Sequence, residues 1–377
     1  MKELGIYIHI PFCIKKCKYC DFVSYANSGF AEKYIEALFK EIEMEKERKD
    51  YIVTTIYIGG GTPSFIDVKY IGYILNKLKE KFKIEENAEI TIEINPGTVN
   101  IEKLNQYKEY GINRLSIGLQ ETDNNLLKML GRIHTYEEFL NAYNMAIDVG
   151  FDNINVDLMI GLPNQNIENI KNSLEKVINL NPKHISVYSL IVEEGTCLSN
   201  QIEEGVLTLP EEDLEREQYW YVKNTLEKNG YIHYEISNFA KKGFESKHNM
   251  NCWEQKEYIG FGLAAHSYIN KMRYSNIENL NTYIDNILSG RVSENRVINE
   301  QQNTEEIQKE FMLLNLRKLD GVSIQEFKLK FNTNPLFKFK NELNKLVNDE
   351  LILVDGDRIK LTNKGLDLAN MVWEEFV

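Results

Sequence analysis

Six times in its first 230 residues the chain alternates between a short apolar, β-branched or aromatic run and a longer amphipathic one. The short runs are Leu4–Ile10, Thr54–Ile58, Glu89–Ile94, Arg114–Leu119, Asn153–Ile160 and His184–Ile191. The helical patterns are Ala31–Lys49, Asp67–Phe82, Ile101–Tyr110, Tyr136–Val149, Ile167–Leu180 and Glu211–Asn229. Tyr110-Gly111 and Val149-Gly150 put a glycine just past a helix end, where a left-handed residue closes the last turn. Repeated strand–helix alternation implies a parallel sheet with right-handed crossovers. The apolar strands imply cover on both faces. The result is an α/β fold, either an open doubly wound sheet or an incomplete (β/α) barrel.

Beyond Asn229 the pattern changes. Ile232–Ile236 reads as a further strand and Lys241–Lys271 as loop. Helical segments follow near Leu280–Leu288, Thr304–Leu319, Ser323–Phe331 and Leu336–Asn348. Leu351–Leu361 reads as a hairpin turning at Asp355-Gly356, and Lys364–Phe376 as a last helix. The division expected is 1–230, an extension over 231–289, and a smaller, mainly helical, winged-helix-like domain over 290–377. A winged helix usually reads DNA. Here residues 290–377 hold slightly more Asp and Glu than Lys and Arg, and the whole chain carries −13. That balance argues against nucleic acid as a partner and for a structural or lid role.

No apolar run approaches the roughly 18 residues that span a bilayer, so no integral membrane protein is expected. Leu4–Ile14 holds His9 and Pro11, and no small residues precede Cys13, so it reads as a strand rather than a leader. The expected location is cytoplasmic. The five cysteines are an odd number for a reducing compartment and a poor disulfide framework. Cys13, Cys17 and Cys20 crowd into eight residues, which points to a metal or a cluster.

Each of the six strands runs into an unusual polar or glycine-rich string. These are PFCIKKCKYCDF, GGGTP (Gly59–Pro63), EINPG (Glu93–Gly97), GLQ (Gly118–Gln120), DLMIGLP (Asp157–Pro163) and LIVEEGT (Leu190–Thr196). Loops at the C-terminal ends of barrel strands build active sites, so the strings converge on one mouth. A structural zinc site takes four ligands. Three cysteines on a [4Fe–4S] cluster leave one iron for a small molecule, with Lys15, Lys16 and Lys18 offsetting negative charge. A zinc loop borrowing His248 stays open beside it. GGGTP allows close backbone approach to a ligand, or is simply a tight turn. It has neither dinucleotide nor P-loop spacing. Glu93 and Asp157 suit ribose hydroxyls or an ammonium group, and Arg132 could clamp a carboxylate, unless each is a local salt bridge or cap. Tyr7 and His9 share one face of their strand. Cys197 reads as a free thiol and His266 as a loop histidine.

CxxxCxxC after the first strand with GGGTP after the second resembles the radical S-adenosylmethionine (SAM) superfamily. The series YIHIPFC, RLSIGLQ, GRIH, DLMIGLP and HNMNCW resembles the oxygen-independent coproporphyrinogen III oxidase family, and best its heme-chaperone, HemW-like branch. The resemblance implies a partial TIM-type (β/α)6 barrel holding a [4Fe–4S] cluster, with Cys13, Cys17 and Cys20 on iron. It places Tyr7, Gly60, Glu93, Gln120, Arg132 and Asp157 around an iron-bound SAM, and Tyr19, Gly61, Thr62 and Ile191 at a second SAM position found in the oxidases. The oxidases carry a further cysteine where this chain has Phe22, and a longer arm before the cluster. Both departures fit the chaperone branch, with coproporphyrinogen III oxidation as the alternative. The branch's HNxxYW motif, proposed to bind heme, reads His248-Asn249-Met250-Asn251-Cys252-Trp253 here. His248 is then the expected axial ligand, Cys252 stands at the tyrosine position, and Trp253 offers a face to the porphyrin. Heme-accepting proteins, respiratory enzymes among them, are the implied partners. Whether SAM is cleaved, and whether the chain forms a homodimer, the sequence leaves open.

Overall fold

The computed structural model describes every residue except Asn27. The first six strands are β1 (Lys2–Ile10), β2 (Tyr51–Gly60), β3 (Ile84–Ile94), β4 (Arg114–Gln120), β5 (Asn153–Ile160) and β6 (His184–Ser189). They lie parallel and in chain order. Helices Ala31–Met44, Val68–Lys81, Ile101–Glu109, Tyr136–Val149, Ile167–Leu180 and Glu212–Lys228 connect and cover them. The expected α/β unit is present. Gly150 closes its helix in the left-handed region at φ +90°.

The differences have physical reasons. The first helix stops at Met44, short of Lys49, because Glu45–Lys49 offers no apolar side chain to bury. The segment expected to be loop carries β9 (Tyr258–Phe261) and β10 (His266–Ile269), with β11 (Met272–Asn276) starting one residue beyond it, after β7 (Ile232–Glu235) and β8 (Asn238–Ala240). These strands are short and held by distant partners: β9 runs parallel to β1, and β8 antiparallel to β6. Local periodicity carries no trace of such pairing. With β12 (Arg296–Gln301) against β11, the sheet reaches twelve strands. A separate core spans Phe311 to Phe376, with β13 (Val322–Ser323), β14 (Ile352–Asp355) and β15 (Arg358–Leu361). The expected hairpin is β14–β15, with Gly356 at φ +56°. The last helix breaks into Asn363–Asp367 and Ala369–Glu374.

The six strands are buried on both faces, as expected, but the second buried face is polar where the runs read as continuously apolar. Leu4, Ile6, Ile8, Ile56, Ile58, Ile92, Leu115, Ile117, Ile154, Val156 and Ile185 join the main hydrophobic core. The alternate positions are polar or glycine: Tyr7 and His9; Thr55, Tyr57 and Gly59; Glu89, Thr91 and Glu93; Arg114, Ser116 and Gly118; Asn155 and Asp157; His184, Ser186 and Tyr188. Tyr57, Glu93, Ser116, Asp157 and Tyr188, from five neighbouring strands, line one cavity, so the sheet curls round a polar interior.

Candidate functional site

The cavity at the C-terminal ends of the strands has a volume of about 470 Å³. Cys13, Cys17 and Cys20 line it with Tyr19, Gly60, Gly61, Thr62, Glu93, Gln120, Arg132, Asp157 and Ile191. These residues come from seven separate strings of sequence, six of them at strand ends and the seventh, with Arg132, after the short helix Asn124–Met129 that follows β4. Tyr7 lies behind this wall. Its hydroxyl donates to His9 Nδ1 at 3.0 Å, and its ring stacks on Tyr57 at 6.3 Å. His9 Nε2 donates to the Val23 carbonyl at 2.9 Å, so His9 is an interior hydrogen-bonder that steadies the cysteine loop.

The glycines of GGGTP are required by what presses on them. Gly60 sits at φ +115°, and a Cβ there would lie 2.8 Å from the His9 ring. A Cβ on Gly61 would lie 2.9 Å from Cys13 Sγ. The string is therefore more than a tight turn: it lets the second strand abut the first cysteine.

Two donors point at the sulfurs. The Thr62 hydroxyl donates to Cys13 Sγ at 3.5 Å, and Arg132 Nη1 to Cys17 Sγ at 3.5 Å. Asn95 Oδ1 accepts from Arg132 Nη2 at 2.9 Å and the Gly118 carbonyl accepts at 2.6 Å, while the buried Arg132 Nε has no partner among the described residues. Burial pushes the Cys20 thiol up to about 11 and raises that of Cys13 as well. Without a metal both are thiols at neutral pH. Among the described residues no three His, Cys, Asp or Glu side chains are gathered to hold a single metal ion. His248, the ligand a zinc site would borrow, does not line this cavity. Three soft sulfur donors backed by Thr62 and Arg132 fit an iron–sulfur cluster.

The same cavity holds two half-buried carboxyl groups, those of Glu93 and Asp157. Tyr57 Oη donates to Glu93 Oε1 at 2.9 Å, and the Gly60 amide to Oε2 at 3.1 Å. Burial, with Asp157 adding to it, still holds Glu93 up at about 7. Asp157 accepts from Asn155 Nδ2 at 2.7 Å and Ser116 Oγ at 3.2 Å, and burial raises it too. A cationic ligand beside this pair would draw both into the charged form. Gln120 holds φ +71°, a strained conformation for a non-glycine residue and one found at functional sites.

His248 and Cys252 lie elsewhere, on helix Lys247–Trp253 at the N-terminal ends of the strands. Ser246 caps this helix, and Glu89 accepts from the amides of Lys247 at 3.1 Å and His248 at 3.0 Å. The helix thus forms the barrel floor. His248 Nδ1 pairs with Thr55 Oγ1 at 2.9 Å and its ring packs 5.2 Å from Tyr57. Burial lowers it to about 4, so the imidazole is neutral. Nε2 has no hydrogen-bond partner among the described residues. Burial pushes the Cys252 thiol up to about 11, so it is no thiolate in this environment. Arg317 lies over the Trp253 ring at 4.6 Å.

Sequence reasoning missed Tyr57, Asn95, Ser116 and Tyr188, which line the cavity. Their signal was strand parity: each of Tyr57, Ser116 and Tyr188 is an even number of residues from a polar neighbour on its own strand.

A parallel α/β barrel with CxxxCxxC on its first loop defines the class, a radical SAM protein. The family model "Radical SAM superfamily" matches residues 7–177, and "HemN C-terminal domain" matches residues 303–368. The chain belongs to the HemW family within that class. It is 38% identical to the heme chaperone HemW of Lactococcus lactis, covering 100% of this chain and 98% of that one. To the Bacillus subtilis heme chaperone HemW it is 37% identical, with 98% of each chain covered. The fold matches Escherichia coli coproporphyrinogen III oxidase (HemN), a radical SAM enzyme, at a TM-score of 0.85. Identity there is 23%, over 100% of this chain and 90% of that one. Among the described residues no helix is long and apolar enough to cross a membrane.

Proposed function

We propose that this chain binds a [4Fe–4S] cluster, SAM and heme, and passes heme to acceptor proteins. The observation that carries the reading is full-length similarity to proteins named heme chaperone HemW, coupled with a partnerless imidazole Nε2 on the HNMNCW helix. A metal-ligating histidine typically has its other ring nitrogen fixed by a hydrogen bond. Thr55 fixes Nδ1 of His248 in that way.

At the mouth, Cys13, Cys17 and Cys20 hold the cluster, and Thr62 and Arg132 stabilise sulfur charge by donating to it. Glu93 and Asp157 receive the ammonium and ribose hydroxyls of SAM, with Gly60 and Gln120 giving close backbone approach. Asn95 and the Gly118 carbonyl keep Arg132 aimed at both cluster and ligand carboxylate. Tyr7 supports this wall through His9, which meets Gly60. Tyr19, Gly61, Thr62 and Ile191 line the outer part, where a second small ligand would sit. When bound, cluster and SAM supply one-electron chemistry at the sulfonium. At the floor, His248 is the heme ligand and Cys252 lies one turn further along the same helix.

The test is an anaerobic heme titration of cluster-reconstituted protein, with iron and sulfide quantified on the same sample. Stoichiometric uptake with a shifted Soret band, lost in His248→Ala, is expected. The same protein, given coproporphyrinogen III, SAM and a reductant, is expected to form no protoporphyrinogen IX. No specific heme uptake by a protein with an intact cluster overturns the reading.

A further inference from the structure

The floor helix is held from two sides. Its first turn is bound by the barrel, through Glu89 and through Thr55 on His248. The three residues at its other end, Trp253, Glu254 and Gln255, are held by the C-terminal domain, which has a core of its own. Arg317 lies between two indole rings, 4.6 Å from Trp253 on the floor helix and 4.4 Å from Trp373 on the last helix. Lys318 faces Glu254 at 3.9 Å. Gln255 Nε2 donates to the Ile307 carbonyl at 3.1 Å and to Glu310 Oε2 at 2.7 Å, and Lys330 Nζ donates to Gln255 Oε1 at 3.0 Å. Gln255 itself stands at φ +56°, the left-handed conformation that glycine usually takes past a helix end.

The Trp–Arg–Trp sandwich is attractive and costly at once. A guanidinium drawn out of water gains from each indole face. But Arg317 Nε and Nε1 of both tryptophans are buried with no hydrogen-bond partner among the described residues. Each recovers a bond to water when the rings separate. The ring contacts favour the closed arrangement and three unmade hydrogen bonds favour the open one, which is the balance a switch requires. The backbone beside the sandwich is fully bonded. The Ile236 amide donates to the Arg317 carbonyl at 3.2 Å, and the Leu319 amide to the Tyr234 carbonyl at 3.1 Å, so the domain stays tethered beside β7.

What the closed arrangement hides is His248. The side chain is buried, with Thr55 on Nδ1, the Tyr57 ring against it, and Gly5 so near that a Cβ there would lie 3.5 Å from Cε1. No ligand the size of a porphyrin reaches Nε2 while the helix stays in place, and Arg317 covers a face of Trp253.

We infer that the C-terminal domain is a latch on the floor helix, with Arg317 between Trp253 and Trp373 as its catch, and that release of the catch opens His248 to heme. The latch rests on the contacts above; its purpose rests on the heme reading. The two states compete: whatever favours the closed catch weakens heme binding, and bound heme holds the catch open.

The experiment uses the cluster-reconstituted full chain, wild type, Arg317→Ala and Trp373→Leu, checked for folding by circular dichroism and for iron content. Hydrogen–deuterium exchange is followed over residues 247–255 and over the six parallel strands, and heme uptake by stopped-flow absorbance and by titration. Expected in both variants is exchange over 247–255 about tenfold faster than in wild type, with the strands unchanged, and heme taken up about tenfold faster and bound about tenfold more tightly. Heme-loaded wild type should exchange faster over 369–376 than heme-free wild type, as the catch comes apart. If either variant does not fold, Arg317→Lys, which keeps the charge but not the flat face, carries the test with a smaller effect. If wild type takes up no heme, the chaperone reading fails and the exchange measurement still decides the latch. Exchange that rises in the strands as much as in the helix is a general loss of stability and overturns the latch. Unchanged exchange over 247–255, or faster exchange there without faster uptake in a protein that binds heme, overturns the inference as well.

Discussion

On β5, Ile154, Val156 and Leu158 face the helical layer, while Asn155 and Asp157, one residue away each time, face the barrel interior. β4 repeats the contrast, with Leu115 and Ile117 outward and Arg114, Ser116 and Gly118 inward. The outward set does what a core does: burying one such side chain is worth about 1.5–3 kcal/mol. The inward set returns little of that, because each buried polar group must first recover the hydration it lost. A fold can carry a polar interior of this size only if the apolar face supplies the stability. Function and stability therefore sit on alternate residues of the same strands.

This contrast can be broken at several strengths. The largest effect is at the mouth. Cys17→Ala removes a ligand from a three-cysteine set, and reconstituted protein should lose its iron, sulfide and visible absorption almost completely, while circular dichroism stays close to wild type. Gly60→Ala comes next. It combines a strained φ with a Cβ 2.8 Å from the His9 ring, so cluster content and SAM binding should both fall several-fold. Equilibrium dialysis with labelled SAM reads the second.

A pH series sharpens the comparison. Glu93 is held at about 7, above its ordinary 4.5, mainly by burial. Its negative charge, which attracts a cationic ligand, forms as pH rises through 7. SAM affinity should rise about tenfold from pH 6 to pH 8, and binding near pH 6 should release a proton, seen as a buffer-dependent calorimetric heat. Glu93→Gln should flatten the profile. The sign for the unliganded fold is opposite: the group contributes stability below 4.5, and that contribution is lost as pH rises through 7. The smallest effect is at Ser116→Ala, which removes one donor to Asp157 and should cost about 1 kcal/mol in urea unfolding.

Much of this was legible in the residues. The six strand–helix units and the six strings at the strand ends were readable because both rest on local pattern. The cysteine loop, Glu93, Arg132 and Asp157 meet in one cavity as strand order implies. The inward polar face was also written in the sequence, in RLSIGLQ, NINVD and HISVYS, where every second residue is polar or glycine. It was masked by reading the runs for total apolarity instead of parity. The floor was not legible. Nothing near His248 announces that Thr55 and Glu89, from the second and third strands, will bind it, or that β9 will pair with β1. Those are non-local contacts, set by how the chain closes.

The most direct test of the division of labour pairs Ile117→Ala with Asp157→Asn. For each, unfolding free energy is measured by urea titration and SAM affinity by dialysis on the same cluster-loaded preparation. Ile117→Ala should lose about 2–5 kcal/mol of stability and bind SAM within twofold of wild type. Asp157→Asn should stay within about 1 kcal/mol of wild-type stability and bind SAM at least tenfold more weakly. If the outward variant loses SAM affinity as severely as the inward one, or the inward variant loses stability as severely as the outward one, the two faces are not separate in function and the account is contradicted.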